Sequence, residues 1–208
     1  MFIRRFNQLQ LGLLLYGLSI ALMVRSGLGM NPWGVFHQGL SEVTGISLGM
    51  VVNGVGALVL LVWIPLRQWP GIGTLSNVLV IGVAADATLW LLPPVEGLLL
   101  RSAFLIVAIV LNGVATGAYI GAGLGAGPRD GLTTGVVRLT GWQVRWVRMG
   151  IEAVVLALGW MLGGAVGVGT ILYTLSTGPL MQAFLPMFTL RVPPSTTVPA
   201  STPAPSSS

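Results

Sequence analysis

The sequence predicts an all-α polytopic membrane protein: six transmembrane helices as two inverted three-helix repeats, each with a short interfacial or re-entrant helix. Three observations carry the prediction. Apolar residues make up 54% of the chain and charged residues 7%, with mean hydropathy +0.88; a soluble domain carries about 25% charge. So little charge cannot cover a water-facing surface. A glycine-framed stretch, GLGMNPWGV from Gly27, returns 96 residues later as GLGAGPRDG from Gly123. Lastly, the arginines gather on one side of the spans that hydropathy marks out.

An apolar run of about 20 residues crosses a bilayer as a helix. The first repeat, residues 1–96, holds such runs at about 8–25, 47–66 and 73–92. The second, residues 97–190, holds them at about 99–121, 144–163 and 169–188. The basic, then apolar, N-terminus resembles a secretory signal, but no small-x-small site follows, and the segment has a counterpart later in the chain. Between the first and second spans of each repeat lie 32–44 and 128–140. Pro32 and Pro128 suit the first helical position. Asn31 precedes one segment as an N-cap, and Asp130 lies in the first turn of the other. Each ends at Thr-Gly, a helix stop. Thirteen helical residues reach about 20 Å, whereas the hydrocarbon core is about 30 Å thick. These segments are therefore too short to span. Thr74 and Thr170 are expected to cap the third and sixth spans. Residues 191–208 form a Pro/Ser/Thr-rich tail without charge, expected to be disordered.

The register of the repeat holds without a gap from Leu15 to Gly82, and many of its identities are glycines. Glycine is required where backbones approach closely or φ is positive. The halves therefore share backbone geometry more than side-chain chemistry. Three spans per repeat is odd, so the second half enters the membrane upside down. With the N-terminus in the cytoplasm, Arg4, Arg5, Arg67, Arg129, Arg138, Arg145, Arg148 and Arg191 lie at or near the inner side. Only Arg25 and Arg101 lie outside, a positive-inside pattern. Trp63, Trp69, Trp142 and Trp146 fall at inner ends and Trp90 and Trp160 at outer ends, as an aromatic belt would have them. The expected location is a bacterial inner membrane, with both termini cytoplasmic.

Gly113, Gly117 and Gly121, with Gly125 just beyond, recur every four residues and predict a close-packing ridge. Gly159, Gly163 and Gly167 suggest a shorter one. Either ridge serves plain helix packing or a sliding surface between moving halves.

Few polar groups need a reason. Glu152, near the middle of the fifth span, costs about 2.5–3.5 kcal/mol if unpaired, and Arg148 lies one turn away on the same face. The two form a structural ion pair or a substrate or proton site. Asp86 is expected to pair with Arg101. Asn53, Asn77 and Asn112 are expected as hydrogen-bond glue between helices. Arg129 is either a topology signal or an anion holder at a helix start. Arg129, Asp130 and His37 are expected at the two mouths of a central site.

Other classes are excluded or unsupported. No cysteine occurs, and the single histidine cannot make a multi-histidine zinc site. No cofactor, metal or catalytic set is indicated, and no enzyme is predicted. The arginines form no phosphate-tracking run, so nucleic acid is not a partner. GAGLGAG lacks the strand and acidic residue of a dinucleotide loop.

GLGMNPWGVFHQGLS (27–41), PGIGT (70–74), GAGLGAGPRDGL (121–132), VRMGIE (147–152) and LGGAVGVGT (162–170) together resemble the YczE/YitT-type family of bacterial integral membrane proteins, closest to its YczE branch. The resemblance covers about 5–188. It implies a polytopic inner-membrane protein with a transporter-like architecture and brings no substrate with it. The leading expectation is a small-molecule transporter or exporter with a midplane site between the repeats. Its partners are the lipid bilayer and a small-molecule substrate, with homo-oligomerisation left open. The alternative is a non-transporting scaffold or accessory protein that assists another complex.

Overall fold

A computed structural model describes residues 2–189; Arg191 and the tail lie outside them. Among the described residues the chain is all α, with no strand. The helices are α1 (Phe2–Ser26), α2 (Pro32–Thr44), α3 (Leu48–Trp63), α4 (Ile72–Leu91), α5 (Leu98–Gly121), α6 (Pro128–Thr140), α7 (Val144–Met161) and α8 (Val168–Phe188). Large apolar side chains cover the outside, among them Leu58, Leu79, Trp90, Ile106 and Leu175. A bilayer accepts such a surface; water does not.

Length and composition alone qualify α1, α4 and α5 to cross a membrane. The α2–α3 pair, bent by 114° between the two helices, qualifies only as a unit. The six expected spans are therefore not all self-evident. At 16 residues α3 reaches about 24 Å, and α7 carries Arg145, Arg148 and Glu152 within 18 residues.

The echoing glycines share a backbone reason. Gly27 and Gly123 have φ of 58° and 66°, and Gly29 and Gly125 of 110° and 136°. Only glycine occupies such conformations cheaply. The two chain reversals are thus built alike, and each leads to a proline that starts a short helix. Both short helices stop at a left-handed glycine, Gly45 or Gly141.

Contacts between the halves recur with partners exchanged. Gly73 N–H donates to Leu124 O at 2.9 Å, and Gly169 N–H donates to Leu28 O at 2.7 Å. Trp63 covers Gly131, while at the corresponding place Gly159 admits the backbone of Val35 and Phe36. Gly135 lies against Leu66, and Gly39 against Leu162. Consequently α3 packs on α6, and α7 packs on α2. Gly17 of α1 admits Ala84 and Ala85 of α4; its counterpart Gly113 of α5 admits Leu180 of α8. At the centre, α1 and α5 lie against each other and run antiparallel. Gln8 bonds to Ala118 O, Ser19 to Asn112 and Ser26 O to Arg101.

The Gly113, Gly117 and Gly121 ridge receives α8 at Leu180, Phe184 and Phe188. Gly125 belongs to the turn instead. The second ridge is not one: α7 ends at Met161, Gly163 has φ of 93°, and Gly167 lies against Leu28.

Three local expectations are corrected. The caps of α4 and α8 are Gly71 and Gly167, not the threonines. Thr74 and Thr170 sit at the third helical position, where their hydroxyls accept from the cap N–H groups. Asp86 does not pair with Arg101. It accepts from Ser47 Oγ at 2.6 Å and Gly49 N–H at 2.7 Å, at the start of α3. Arg101 instead donates to Ser26 O and Gly27 O at the end of α1. Helix ends explain both, because free N–H groups draw a carboxylate and free carbonyls a guanidinium. Trp63 is no belt residue. It is 3% exposed, and its indole donates to Pro128 O at 3.0 Å.

Candidate functional site

The starts of α2 and α6 meet in the middle of the molecule. The Arg129 guanidinium carbon stands 4.9 Å from the centroid of the Trp33 ring, and these residues correspond under the 96-residue offset. Around this meeting point lies a cavity of about 100 Å³, room for several waters or a small solute. The remaining wall comes from α1, α3, α4, α5, α7 and α8.

The cavity gathers five of the six candidate residues: His37, Arg129, Asp130, Arg148 and Glu152. Asp86 is not among them and serves at the start of α3. The expectation that Arg129, Asp130 and His37 stand at two separate mouths is thereby corrected. The short helices point their N-termini inward, because α2 is held by α7 and α6 by α3. Arg148 Nε donates to Glu152 Oε1 at 3.0 Å, one helical turn apart. Their side chains are 46% and 28% exposed, so the pair faces open space and not a dry core. Asp130 Oδ2 accepts from Tyr119 Oη at 2.9 Å.

Side chains of opposite character face each other across the cavity. Its charged groups, Arg129, Asp130, Arg148 and Glu152, come from the second half. At the corresponding positions the first half supplies Trp33, Gly34, Val52 and Gly56. The first half adds His37, only 2% exposed, and the second half has Thr133 in its place. The helix starts differ too. Asn31 accepts from Gly34 N–H at 2.7 Å and closes the start of α2. Gly127, the cap of α6, has no side chain to do so.

Of the three asparagines, two bridge helices. Asn53 accepts from Gly82 N–H and donates to Leu79 O. Asn112 donates to Ser19 Oγ and accepts from Tyr173 Oη. Asn77 lines the cavity.

Sequence reasoning missed the aromatic wall of Trp33, Tyr16, Tyr119 and Tyr173. One signal was available. Trp33 immediately follows the repeat proline, and it answers to Arg129 in the other half.

The family described as a family of unknown function (DUF6198) matches residues 3–186. An uncharacterized Haemophilus influenzae protein is 39% identical over 84% of this chain and 83% of its own. The uncharacterized membrane protein YczE of Bacillus subtilis is 37% identical, over 84% of this chain and 82% of its own. The uncharacterized protein YyaS of the same organism is 28% identical, over 85% and 90%. No solved structure matches.

Proposed function

The chain belongs to the DUF6198 family, and for this membrane protein we propose the transport of a small polar solute through the central cavity. The observation that carries the reading is the cavity itself. An apolar exterior encloses four charged side chains and a buried histidine, in a space that both halves line. Ionisable groups inside a membrane protein mark solute or proton paths by default.

The exchanged contacts support an inverted-repeat architecture. An axis that swaps two antiparallel helices, α1 and α5, runs across them and so lies in the plane of the bilayer. Transporters of this kind bind solute near the midplane, between repeats, at the ends of broken helices. On this reading α1, α3, α4, α5, α7 and α8 are the six spans, and α2 and α6 are re-entrant. The arginine pattern supports a reading with both termini in the cytoplasm of a bacterial cell. The chain is then a carrier and not an enzyme. A scaffold would have no use for an accessible ion pair in its interior.

The test is flux into proteoliposomes, screened over small polar solutes, with Glu152→Gln beside the wild type. The variant is expected to lose at least tenfold in rate, since it breaks a pair that faces the cavity. A variant that moves every transported solute as fast as the wild type removes Glu152 from the path. A wild-type protein that moves none removes the transport reading.

A further inference from the structure

We propose that the cavity binds a small zwitterion of the amino-acid kind, its carboxylate on Arg129 and its ammonium on Asp130. The inference rests on the reading of the cavity as a solute site and names the solute.

Four charges line the cavity, and two satisfy each other. Arg148–Glu152 is the one ion pair within 4 Å among the described residues. Arg129 and Asp130 make no ion pair within 4 Å among the described residues; their direct contacts are neutral, although Asp130 lies within electrostatic reach of Arg148. Arg129 lies over the Trp33 ring at 4.9 Å, and Asp130 takes a hydrogen bond from Tyr119. These partners position the two charges without cancelling them. The ring holds the guanidinium plane, and the phenol occupies one carboxylate oxygen. The fork of Arg129 and the other oxygen of Asp130 stay available.

Arg129 and Asp130 are consecutive residues in the first turn of α6. Consecutive side chains leave a helix about 100° apart, so the opposite charges diverge from one turn, and both line the same cavity. An α-amino acid carries one carboxylate and one ammonium, a group of each sign for each of these two residues. The sign of the total supports the same class. The four charges sum to zero, and a zwitterion adds none. A simple carboxylate would leave Asp130 unmatched and an amine would leave Arg129 unmatched, each in surroundings where an unmatched charge is costly.

Two further groups point the same way. The start of α6 has only Gly127 as its cap, so its free N–H groups favour an anion. The matching start of α2 is closed by Asn31. Across the cavity, His37 is 2% exposed and has no side-chain hydrogen bond among the described residues. The ring lines the cavity and can offer a nitrogen to a bound solute. The volume of about 100 Å³ selects small solutes.

The test is the thermal stability of the purified full-length protein in detergent, titrated at constant ionic strength with alanine, propionate, ethylamine and inorganic phosphate. Propionate lacks the ammonium of alanine, and ethylamine lacks its carboxylate. For the wild type, alanine is expected to stabilise saturably, and every other probe to bind at least about tenfold more weakly. In Arg129→Gln, alanine should fall to the level of ethylamine; in Asp130→Asn, to that of propionate. Arg129→Lys keeps the charge and loses the fork, so partial retention of alanine binding separates a lost contact from a lost fold. Propionate, ethylamine or phosphate equalling alanine on the wild type overturns the proposal. So does the absence of any saturable shift, or an alanine shift that both neutralising variants keep. Flux of another solute, with no alanine binding, sinks this assignment and leaves the transport reading standing. Alanine binding without flux does the reverse.

Discussion

In the first half α3 and α4 are fastened together; in the second half α7 and α8 have no comparable interface. The fastening is specific. Asp86 binds the start of α3, Asn53 bridges to Leu79 and Gly82, and a Cβ at Gly82 would run into Asn53 and the Gly49 carbonyl. The matching residues in the second half are Gln182, Met149, Gly178 and Arg145. They cannot repeat the contacts, and a Cβ at Gly178 would meet nothing within 4 Å. Burial follows: α3 and α4 each bury a row of residues, while α7 buries only Val147 and Gly159, and α8 only Gly169 and Thr170. The cavity extends into the space left between α7 and α8, where Arg148 is exposed. One backbone plan therefore supports a closed and an open version of the same helix pair. Under the transport reading, that is the difference between a shut gate and an open one.

The largest effect should come from cross-linking, which the cysteine-free chain makes clean. A Ser47→Cys/Asp86→Cys pair should close nearly completely under mild oxidation, because the native side chains already touch. The matching Gln143→Cys/Gln182→Cys pair should stay largely open. Equal yields for the two pairs would erase the contrast between the halves. Next come the two glycines. Gly82→Ala should destabilise by about 1–3 kcal/mol through overpacking, read as a lower midpoint in detergent melting. Gly178→Ala should be neutral or gain up to about 1 kcal/mol of helix propensity. A cost at Gly178 equal to that at Gly82 would show that α8 is packed there after all. Asp86→Asn, which weakens two hydrogen bonds at the start of α3, should cost about 1 kcal/mol. Chemical denaturation would sharpen the picture if the loss came with earlier opening of α3 from α4, followed by labelling of a cysteine at Asn53.

Much of this was legible locally. Pro32 and Pro128 begin the short helices, and Thr44 and Thr140 end them, because helix starts and stops are matters of a few adjacent dihedral angles. The Gly-Leu-Gly echo was equally plain, since positive φ leaves its mark in composition. What could not be read locally was partnership. Asp86 and Arg101 look like a pair in the sequence, yet each is drawn to the end of a neighbouring helix, and nothing in the local pattern says which end arrives. The gathering of His37 with Arg129 and Asp130 depends on Trp63 lying over Gly131 from 68 residues away. That contact has no periodic signature. Trp33 carried the best missed clue, an aromatic ring at the position where the repeat has an arginine.

The traded hydrogen bonds of Gly73 and Gly169 bear on biogenesis. Each half offers a loop carbonyl, Leu28 O or Leu124 O, to an N–H group of the other. The same trade means that the amino-terminal half, leaving the ribosome first, must wait in the lipid with Gly73 N–H unanswered until Leu124 has been made.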